Sequence, residues 1–383
     1  MTETFDFDRI IDRRETSSTK WEKYRDRDIL PMWVADTDFA VAPAIQQAVI
    51  ERAQHPVYGY TDPPPALAEL LVERMQKLYG WEIQPRWLVF LPGVVNALNA
   101  TCRSIGSEGD AVYTPELIYP HIGNIADLNR RESRRIPMCW QQGRMVIDLD
   151  WLERDVTRPG QLLILCSPQN PGGAVYRREE LERLAEIAER KDLIVCSDDI
   201  HCELILEPDL QHLPIASLNP EIEQRSIVLM SPSKTFNLAG LHFSFAIVPN
   251  PELRRGILQA RRGIMPYVGL MGYAAARAAY EHGDEWRRQL CCYLAGNRDY
   301  LLQAINAIPG LSAAPVEATY LAWIDVSELG LDDPPRFFEA AGVGMSPGAE
   351  FGDGGGMRFN FGCPRSRVEE AVTRIRKAVE ARG

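Results

Sequence analysis

The chain has 383 residues, of which 45% are hydrophobic and 25% are charged, as in ordinary globular proteins. This length exceeds what a single compact core usually supports, so we expect two domains that share a cleft. The formal net charge of -11 argues against an extended basic face, and no nucleic-acid partner is therefore expected.

Cysteine usage and the N-terminal residues bear on the compartment. The eight cysteines form no C-x-x-C pair, and several lie inside apolar runs. This pattern favours reduced core residues over disulfides or metal ligands, so we predict no metal site. Residues 1–12 lack an apolar signal region, and no stretch approaches membrane-spanning length. We expect a cytoplasmic protein that does not bind a membrane.

From about residue 42 to residue 270, short apolar runs alternate with longer amphipathic segments. This alternation is typical of strand–helix units that form a mostly parallel sheet. The pattern predicts strands at residues 87–91, 111–114, 161–166, 193–197, 226–230 and 243–248. It predicts helical segments at residues 178–191, 273–306 and 365–382, and a further strand at residues 321–326.

Four of the predicted strands end in polar or glycine-containing turns. In open parallel sheets, ligands bind outside the carboxyl ends of the strands. After the first strand, free backbone amides at Gly93, Val94 and Val95 begin a helix and would form an anion site. A plain turn between strand and helix is the alternative.

The second turn places Asn170 between a strand end and a proline–glycine pair. Its amide can donate a hydrogen bond to a ring phenolate oxygen, and the alternative is an Asx turn before Pro171. The third turn begins with Asp198 and Asp199. A carboxylate at the end of an apolar strand needs a cation, such as a protonated pyridine nitrogen, to offset its desolvation. Asp198 is the better candidate because it comes first, whereas Asp199 points to the other side, toward an N-cap or surface role.

The fourth turn carries Lys234, with Ser231 and Ser233 as candidate hydroxyl donors to a phosphate. A lysine just past a buried strand and flanked by hydroxyls suits a Schiff-base amine. The four strand ends thus supply an anion site, an amide, a carboxylate and a lysine. Together they match one ligand that bears a phosphate, a phenol, a pyridine and an aldehyde, which predicts pyridoxal 5'-phosphate as the cofactor.

Several motifs resemble those of the class I/II aminotransferases of fold-type I, a pyridoxal-phosphate family, and more closely its cystathionine β-lyase type branch of carbon–sulfur lyases. These motifs are IDRR (11–14), KW (20–21), LPMWVADTDF (30–39), SDDIH (197–201), SKTFN (233–237) and NRDY (297–300). The resemblance covers essentially the whole chain.

This resemblance implies an α/β fold with a large cofactor-binding domain, whose mostly parallel seven-stranded sheet is flanked by helices. It also implies a smaller α+β domain built from the N- and C-terminal segments. We assign residues 1–45 to an N-terminal segment that packs with the small domain, residues 46–280 to the large domain, and residues 281–383 to the small C-terminal domain.

The resemblance also implies roles for single residues. Lys234 would bind the cofactor covalently, Asp198 would meet the pyridinium, Asn170 would bind the ring oxygen, and Tyr119 would stack on the ring. Tyr60 would reach the phosphate from a second subunit, which implies a homodimer.

The expected substrate carboxylate also has a candidate partner. Arg358 lies in an apolar, strand-like run and resembles the arginine with which the family binds this carboxylate. A salt bridge to a neighbouring carboxylate is the alternative. Ala35 would line the same pocket through its backbone.

Two histidines differ from the transaminase pattern. Many class I aminotransferases have a phosphate-binding arginine eight residues after the lysine, where this chain has His242. His242 either contacts the phosphate or serves as a core histidine. His201 stands where transaminases tend to have a tyrosine near the ring oxygen. Both differences favour the lyase branch.

The predicted activity is β-elimination from L-cystathionine or a related L-cysteine thioether, which releases a thiol, pyruvate and ammonia. The first alternative is transamination of an amino acid, which uses the same cofactor contacts but requires a keto-acid acceptor. The second is a regulatory binding protein that retains the fold and acts through protein contacts. For the enzyme, the expected partner is a small-molecule amino-acid substrate.

Overall fold

The computed structural model describes residues 4–382 of the chain. Residues 1–3 and residue 383, which belong to the first and last predicted domain ranges, lie outside the described residues. Within residues 4–382 there are fourteen strands and fifteen α-helices, joined by loops and five short 3₁₀ turns.

The strands are β1 Leu30–Met32, β2 Leu88–Leu91, β3 Ala111–Pro115, β4 Glu132–Ile136, β5 Met138–Gln141, β6 Arg144–Ile147, β7 Leu162–Cys166, β8 Ile194–Asp198, β9 Ser226–Met230, β10 Ser244–Ile247, β11 Ser312–Ala313, β12 Leu321–Asp325, β13 Val343–Pro347 and β14 Gly356–Asn360. The helices are α1 Thr19–Glu22, α2 Pro43–Gln54, α3 Pro65–Tyr79, α4 Val94–Ser104, α5 Pro120–Gly123, α6 Ile125–Leu128, α7 Leu149–Asp155, α8 Arg178–Lys191, α9 Pro220–Gln224, α10 Pro232–Thr235, α11 Pro251–Ala260, α12 Leu270–His282, α13 Asp284–Asn306, α14 Pro334–Ala340 and α15 Arg365–Glu380.

A seven-stranded sheet forms the centre of the larger part of the molecule, with the strand order β2-β10-β9-β8-β7-β3-β4. Strands β9, β8, β7, β3 and β4 pair in parallel, and β10 alone runs antiparallel to both of its neighbours. Strand β2 therefore points the same way as β9, and its carboxyl end lies at the same edge of the sheet. The predicted α/β fold with a mostly parallel seven-stranded sheet is confirmed.

Both faces of this sheet are covered by helices, which explains the continuous apolar runs in its strands. Along β7, Leu162 and Ile164 pack with α4 and α11 on one face, whereas Leu163 and Leu165 pack with α7 and α8 on the other. Successive side chains of a strand point to opposite faces, so each run contributes to two cores. The rigid sheet between them positions the turns at its edge.

A second, five-stranded sheet has the order β1-β13-β14-β12-β11 and joins the two ends of the described chain. Strand β1 pairs in parallel with β13 in the register Leu30 to Val343, and the other pairs are antiparallel. Helices α13 and α15 pack on it through apolar side chains such as Leu294 and Val372. This confirms the smaller α+β unit built from N- and C-terminal segments, while the boundaries at residues 45 and 280 stay predictions.

The sequence-based prediction missed several elements, and two of the differences have a clear physical reason. Edge strand β4, Glu132–Ile136, was not predicted, because its partly exposed residues include arginines rather than an apolar run. The predicted helical region 273–306 is two helices, which meet at Gly283. A Cβ atom at Gly283 would lie 2.4 Å from the carbonyl oxygen of Ala279 and 2.5 Å from the ring of Phe236, so only glycine fits there. No helix within residues 4–382 is long and apolar enough to cross a lipid bilayer.

Candidate active site

A cavity of about 350 Å³ lies at the carboxyl edge of the seven-stranded sheet. The turns that follow β2, β7, β8 and β9 meet there, as the parallel arrangement requires. Most of the predicted site residues line this cavity, namely Ala35, Gly93, Val94, Val95, Tyr119, Asn170, Asp198, His201, Ser233, Lys234 and His242. Arg358, Ser231 and Tyr60 are not among the lining residues.

Lys234 lies in the short helix α10, directly after the buried strand β9. Its Nζ donates a hydrogen bond of 2.6 Å to the carbonyl oxygen of Ala35. Burial, and secondarily the positive charge of Arg358, lower the pKa of this amine to about 8. With this pKa, about one tenth of the Lys234 amine is unprotonated at pH 7 and about half at pH 8, and the unprotonated form is the one that a nucleophile or a general base requires.

Asp198 is the last residue of β8 and is 5% exposed. Burial raises the pKa of its carboxyl group to about 7, and the negative charge of Asp199 acts in the same direction. The backbone amide of Ile200 donates to its Oδ1 at 3.2 Å and opposes this shift. Such a carboxyl group becomes a stable anion when a cation is placed against it, as a pyridinium would be.

Asp199 does point away from the cavity, but the predicted surface or N-cap role is wrong. Its side chain is fully buried and accepts hydrogen bonds from the hydroxyl of Ser197 and from Nε2 of His212, the latter at 2.8 Å. This pair of Asp199 and His212 was missed, because the two residues are thirteen positions apart in irregular chain.

Arg358 lies on β14, behind Asn170 as seen from the cavity, and is 3% exposed. Its Nη1 donates to Oδ1 of Asn170 at 3.1 Å, and its Nη2 donates to the carbonyl oxygen of Trp33 at 2.9 Å. The guanidinium carbon lies 4.6 Å from the centre of the Phe351 ring. Burial lowers the pKa of Arg358 to about 10, and its Nε has no hydrogen-bond partner within the described residues.

These contacts bear on the alternative interpretation of Arg358, a salt bridge to a neighbouring carboxylate. Within residues 4–382, no carboxylate forms a salt bridge with this guanidinium, so the alternative of a neighbouring ion pair is not observed. A buried cation without a counter-ion is unfavourable and favours the binding of an anion. Because Asn170 uses its oxygen for Arg358, its amide nitrogen remains available as a donor toward the cavity.

The predicted anion site is partly corrected. Gly93 caps α4 with φ 97°, a conformation that suits glycine, but its amide donates to the carbonyl oxygen of Leu91 and is not free. The amides of Val94 and Val95 begin the helix, so they have no acceptor inside it. Both residues line the cavity, where the helix dipole favours an anion.

The two serines before Lys234 play different parts. The hydroxyl of Ser231 donates to the carbonyl oxygen of Phe243 at 2.6 Å and accepts from the amide of Ser233 at 3.1 Å. Ser231 therefore caps α10, and its predicted role as a phosphate donor is not supported. Ser233 and His242 both line the cavity, as do the first residues of α4, and remain candidate phosphate ligands.

The rings of Tyr119 and His201 both line the cavity. Tyr119 is half-buried at the start of α5, and burial raises the pKa of its phenol. His201 is almost fully buried, which lowers its pKa well below the ordinary value, and its Nδ1 has no partner among the described residues. The neutral imidazole of His201 packs edge-on against the Tyr320 ring at a centroid distance of 5.9 Å.

Tyr320 is a site residue that the sequence did not reveal. Its hydroxyl donates to the carbonyl oxygen of Ala35 at 3.0 Å, so this oxygen accepts from both Tyr320 and Lys234. Burial raises the pKa of Tyr320 and keeps the phenol protonated as a donor. No local signal marks this tyrosine, because 285 residues separate it from Ala35.

Residues 33–39, here called the N-terminal strap, contribute Ala35 to the cavity and are held in place by two asparagine side chains. Asn360 donates to the carbonyl oxygens of Val34 and Asp36 at 2.6 and 2.8 Å. Asn237 donates to the carbonyl oxygens of Thr37 and Phe39 at 3.0 and 3.1 Å. The SKTFN motif therefore combines the reactive lysine with an asparagine that binds the strap.

A buried cluster of charges explains the N-terminal motifs. Lys20 is completely buried, and its Nζ lies 2.9 Å from Oδ2 of Asp38. Arg13 pairs with Asp36 at 2.6 Å and with Asp38 at 2.8 Å, and the indole of Trp21 donates to Asp38 at 3.0 Å. Each buried charge has a partner of opposite sign, as burial requires, and the cluster anchors the strap.

Tyr60 lies outside the cavity of its own subunit. It is fully exposed. Other large exposed apolar or aromatic side chains lie close to it in sequence, at Val57 and Tyr58, and in a second stretch of chain, at Ile264 and Tyr267. Residues 58–62 and 266–272 line a broad hollow of about 850 Å³ next to Gly240 and Leu241, which follow the lysine turn.

The comparisons with known proteins agree with this geometry. The family model described as aminotransferase class I and II matches residues 27–375. The chain is 34% identical over 386 residues to cystathionine beta-lyase PatB of Bacillus subtilis (strain 168), with 97% of this chain and 99% of PatB covered. Its fold matches the crystal structure of OvoB with a TM-score of 0.94 at 49% identity, covering 98% of this chain and 99% of OvoB.

A further solved structure is similar over its whole length. The pyridoxal-phosphate-bound C-S lyase from Staphylococcus hominis matches with a TM-score of 0.90 at 30% identity, and 98% of each chain is covered. These matches extend over the site and both sheets. The chain therefore belongs to the class I and II aminotransferase family and, within it, to the cystathionine β-lyase type branch.

Proposed function

We propose that this protein is a pyridoxal-phosphate-dependent carbon–sulfur β-lyase that acts on L-cystathionine or a related L-cysteine thioether. One water and one thioether would yield a thiol, pyruvate and ammonia. Relatives named cystathionine β-lyase and C-S lyase support this class of reaction. The observation that carries the proposal is that Lys234 and Asp198 line one cavity while Arg358 is hydrogen-bonded to Asn170 in its wall, each of the three with a pKa displaced by burial.

The residues present fit the cofactor. Val94 and Val95 would hold its phosphate through helix amides, with Ser233 and His242 beside them. Asp198 would hold the pyridine nitrogen, and the free amide nitrogen of Asn170 would bind the ring oxygen. When bound, pyridoxal phosphate supplies an electron sink for the negative charge that develops on the α-carbon of the substrate.

The protein side chains supply the proton transfers and the orientation. The amine of Lys234, with its pKa near 8, takes the proton from the α-carbon and would hold it within the site while the sulfur departs. Arg358 binds the α-carboxylate, for which its burial and its lack of a counter-ion prepare it. Ala35 and Tyr320 fix the position of the lysine between successive proton transfers.

The activity is tested by incubating the purified holoenzyme with L-cystathionine and a panel of S-substituted cysteines, without a keto acid. We expect pyruvate to accumulate over many turnovers, with one thiol released for each pyruvate. Lys234→Ala should abolish both turnover and the visible absorbance of the lysine-bound cofactor. The exposed Lys77 provides a matched control, since Lys77→Ala should leave both unchanged.

Two outcomes would contradict the proposal. Full turnover in the Lys234→Ala variant would remove the lysine from the mechanism. Conversion that stops after one equivalent of substrate, and resumes only when a keto acid is added, would identify a transaminase. A protein that binds the cofactor but turns over no member of the panel with or without a keto acid would support the regulatory alternative.

We further infer that the protein forms a homodimer in which Tyr60 of each subunit reaches the phosphate of the other. The exposed aromatic surface around Tyr60, next to the turn that carries Lys234, supports this assembly. A cytoplasmic location is part of the same proposal, and free cysteines, five of them buried, are compatible with a reducing compartment.

A further inference from the structure

Two carboxylates follow each other at the end of β8, and only one of them lines the active-site cavity. Asp198 faces the cavity, whereas Asp199 is completely buried on the opposite side. Both oxygens of Asp199 are occupied, because Oδ1 accepts from the hydroxyl of Ser197 and Oδ2 accepts from Nε2 of His212 at 2.8 Å. The backbone amide of Asp199 donates to the carbonyl oxygen of Leu229, which ties the same residue to β9.

His212 belongs to the irregular chain between β8 and α9 and is 2% exposed. Its ring stands edge-on to Tyr79 of α3 at a centroid distance of 5.5 Å. Within residues 4–382, His212 is the one side chain capable of positive charge that pairs with Asp199. Tyr79 packs against the His212 ring, and Cys166, Cys196, Asp198 and Cys202 interact electrostatically with Asp199. Beside Tyr79 and Cys202 lies the buried ion pair of Arg74 and Glu203, in which the positive charge has its own partner.

The position of Asp199 poses an electrostatic problem for the proposed cofactor site. A pyridine nitrogen held by Asp198 shares one proton with that carboxylate. A second negative charge directly behind Asp198 attracts this proton toward Asp198 and away from the ring, because Asp198 is the nearer of the two sites. A ring without its proton is a weaker electron sink.

We propose that His212 is a positioning residue that, together with Ser197, holds and shields Asp199, so that the shared proton stays on the ring nitrogen and Asp198 stays negative. The donated N–H groups place positive charge against Asp199 on the side away from Asp198 and reduce its field there. His212 touches neither substrate nor cofactor and acts through Asp199. This inference rests on the proposed use of pyridoxal phosphate.

The test uses holoenzyme loaded with pyridoxal phosphate labelled with ¹⁵N in the ring, whose chemical shift reports protonation of that nitrogen. His212→Phe removes the donor and should shift the signal toward the unprotonated value. We expect kcat to fall about tenfold, with a smaller change in KM, as a shift of about one pKa unit implies. His212→Gln retains a donor and should return the signal toward that of the wild type.

A second variant separates the electrostatic role from a structural one. Asp199→Asn combined with His212→Phe removes the negative charge as well as its donor, and should recover a protonated ring nitrogen. A purely structural role predicts the opposite, because this double variant has lost the native contact completely. The exposed His282 gives a matched control, since His282→Phe should change neither the ¹⁵N signal nor kcat.

An unchanged ring signal in His212→Phe would overturn the inference, as would a double variant that is no better than His212→Phe. If His212→Phe does not fold, Asp199→Asn alone decides the question, because the inference predicts that its ring nitrogen stays protonated. Failure of the proposed function has a different signature: the wild-type protein would then bind the labelled cofactor and give its ring signal, but would release no pyruvate from the thioether panel.

Discussion

The amine of Lys234 donates a 2.6 Å hydrogen bond to the carbonyl oxygen of Ala35, which precedes it by 199 residues. The lysine turn belongs to the seven-stranded sheet, whereas Ala35 belongs to the strap that follows β1 of the five-stranded sheet. Tyr320 donates to the same oxygen from a third part of the chain. The reactive amine is therefore positioned jointly by both sheets, and a change in the contact between them alters its environment.

Tyr320→Phe tests this arrangement because it removes one donor from Ala35 and keeps the ring. We expect the free energy of unfolding to fall by about 1 kcal/mol, the usual net contribution of a hydrogen bond. We also expect kcat to fall by roughly threefold to tenfold, because the carbonyl oxygen of Ala35, to which Lys234 donates, is then held less firmly. Urea unfolding and steady-state kinetics measure the two effects. Tyr113→Phe loses a comparable bond to a carbonyl oxygen far from the cavity, and an equal loss of kcat there would contradict the prediction.

Arg358→Lys keeps a positive charge at the proposed carboxylate site but loses the planar pair of donors. We expect KM for an L-cysteine thioether to rise roughly tenfold to a hundredfold, the range given by losing one charge-assisted hydrogen bond. The same thioether with its α-carboxylate converted to an amide provides the control substrate. If Arg358 binds this carboxylate, the variant and the wild type should use the amide equally poorly, and a KM effect of the same size on both substrates would argue against that role.

Asp198→Asn should lower turnover but raise the free energy of unfolding at pH 8. Burial raises the pKa of Asp198 to about 7 from an ordinary 3.8, so between these pH values the folded cofactor-free protein keeps a proton that the unfolded chain has lost. The free energy of unfolding of the wild type therefore falls as the pH rises from about 4 to 7. Above pH 7 the full destabilisation by the buried, ionised carboxylate of Asp198 remains. At pH 8 we expect the free energy of unfolding of the variant to exceed that of the wild type by about 2 to 4 kcal/mol. At pH 4 we expect no such difference.

Chemical denaturation of the cofactor-free proteins at the two pH values measures this difference. Turnover of the Asp198→Asn holoenzyme should at the same time fall by at least about a hundredfold, because the ring nitrogen loses its anionic partner. The exposed Asp150 supplies a control, as Asp150→Asn should change stability little at either pH. A gain of equal size at pH 4 and pH 8 would show that ionisation of Asp198 is not its source.

Mixed dimers test whether Tyr60 acts across the subunit interface. A Lys234→Ala subunit and a Tyr60→Ala subunit are each expected to have little activity alone. If Tyr60 serves the neighbouring site, a mixed dimer contains one site with both defects and one intact site. Random re-association of equal amounts should then restore about one quarter of wild-type activity. No recovery in dimers shown by mass to be mixed would place Tyr60 in the site of its own subunit or outside both sites.

The strands show how far local sequence patterns reach. All six strands predicted for the central sheet agree with the observed bounds to within one residue at each end, since β2, β3, β7, β8, β9 and β10 are largely buried, mostly apolar runs. Strand β4 escaped prediction because an edge strand packs on fewer sides and tolerates arginines. The sites at the strand ends followed from the same patterns, because parallel strands place their carboxyl ends at one edge.

The sequence by itself determined that Lys234, Asp198 and Asn170 meet at one edge of a parallel sheet, because strand direction and strand ends are local properties of the chain. Only the tertiary structure decided which neighbouring groups are available. In the folded protein, the hydroxyl of Ser231 and the amide of Gly93 donate to backbone carbonyl oxygens, and Tyr320 donates to the carbonyl oxygen of Ala35. The tertiary structure also decided the proton affinities of the site, because desolvation depends on everything packed around a group and not on its neighbours in sequence.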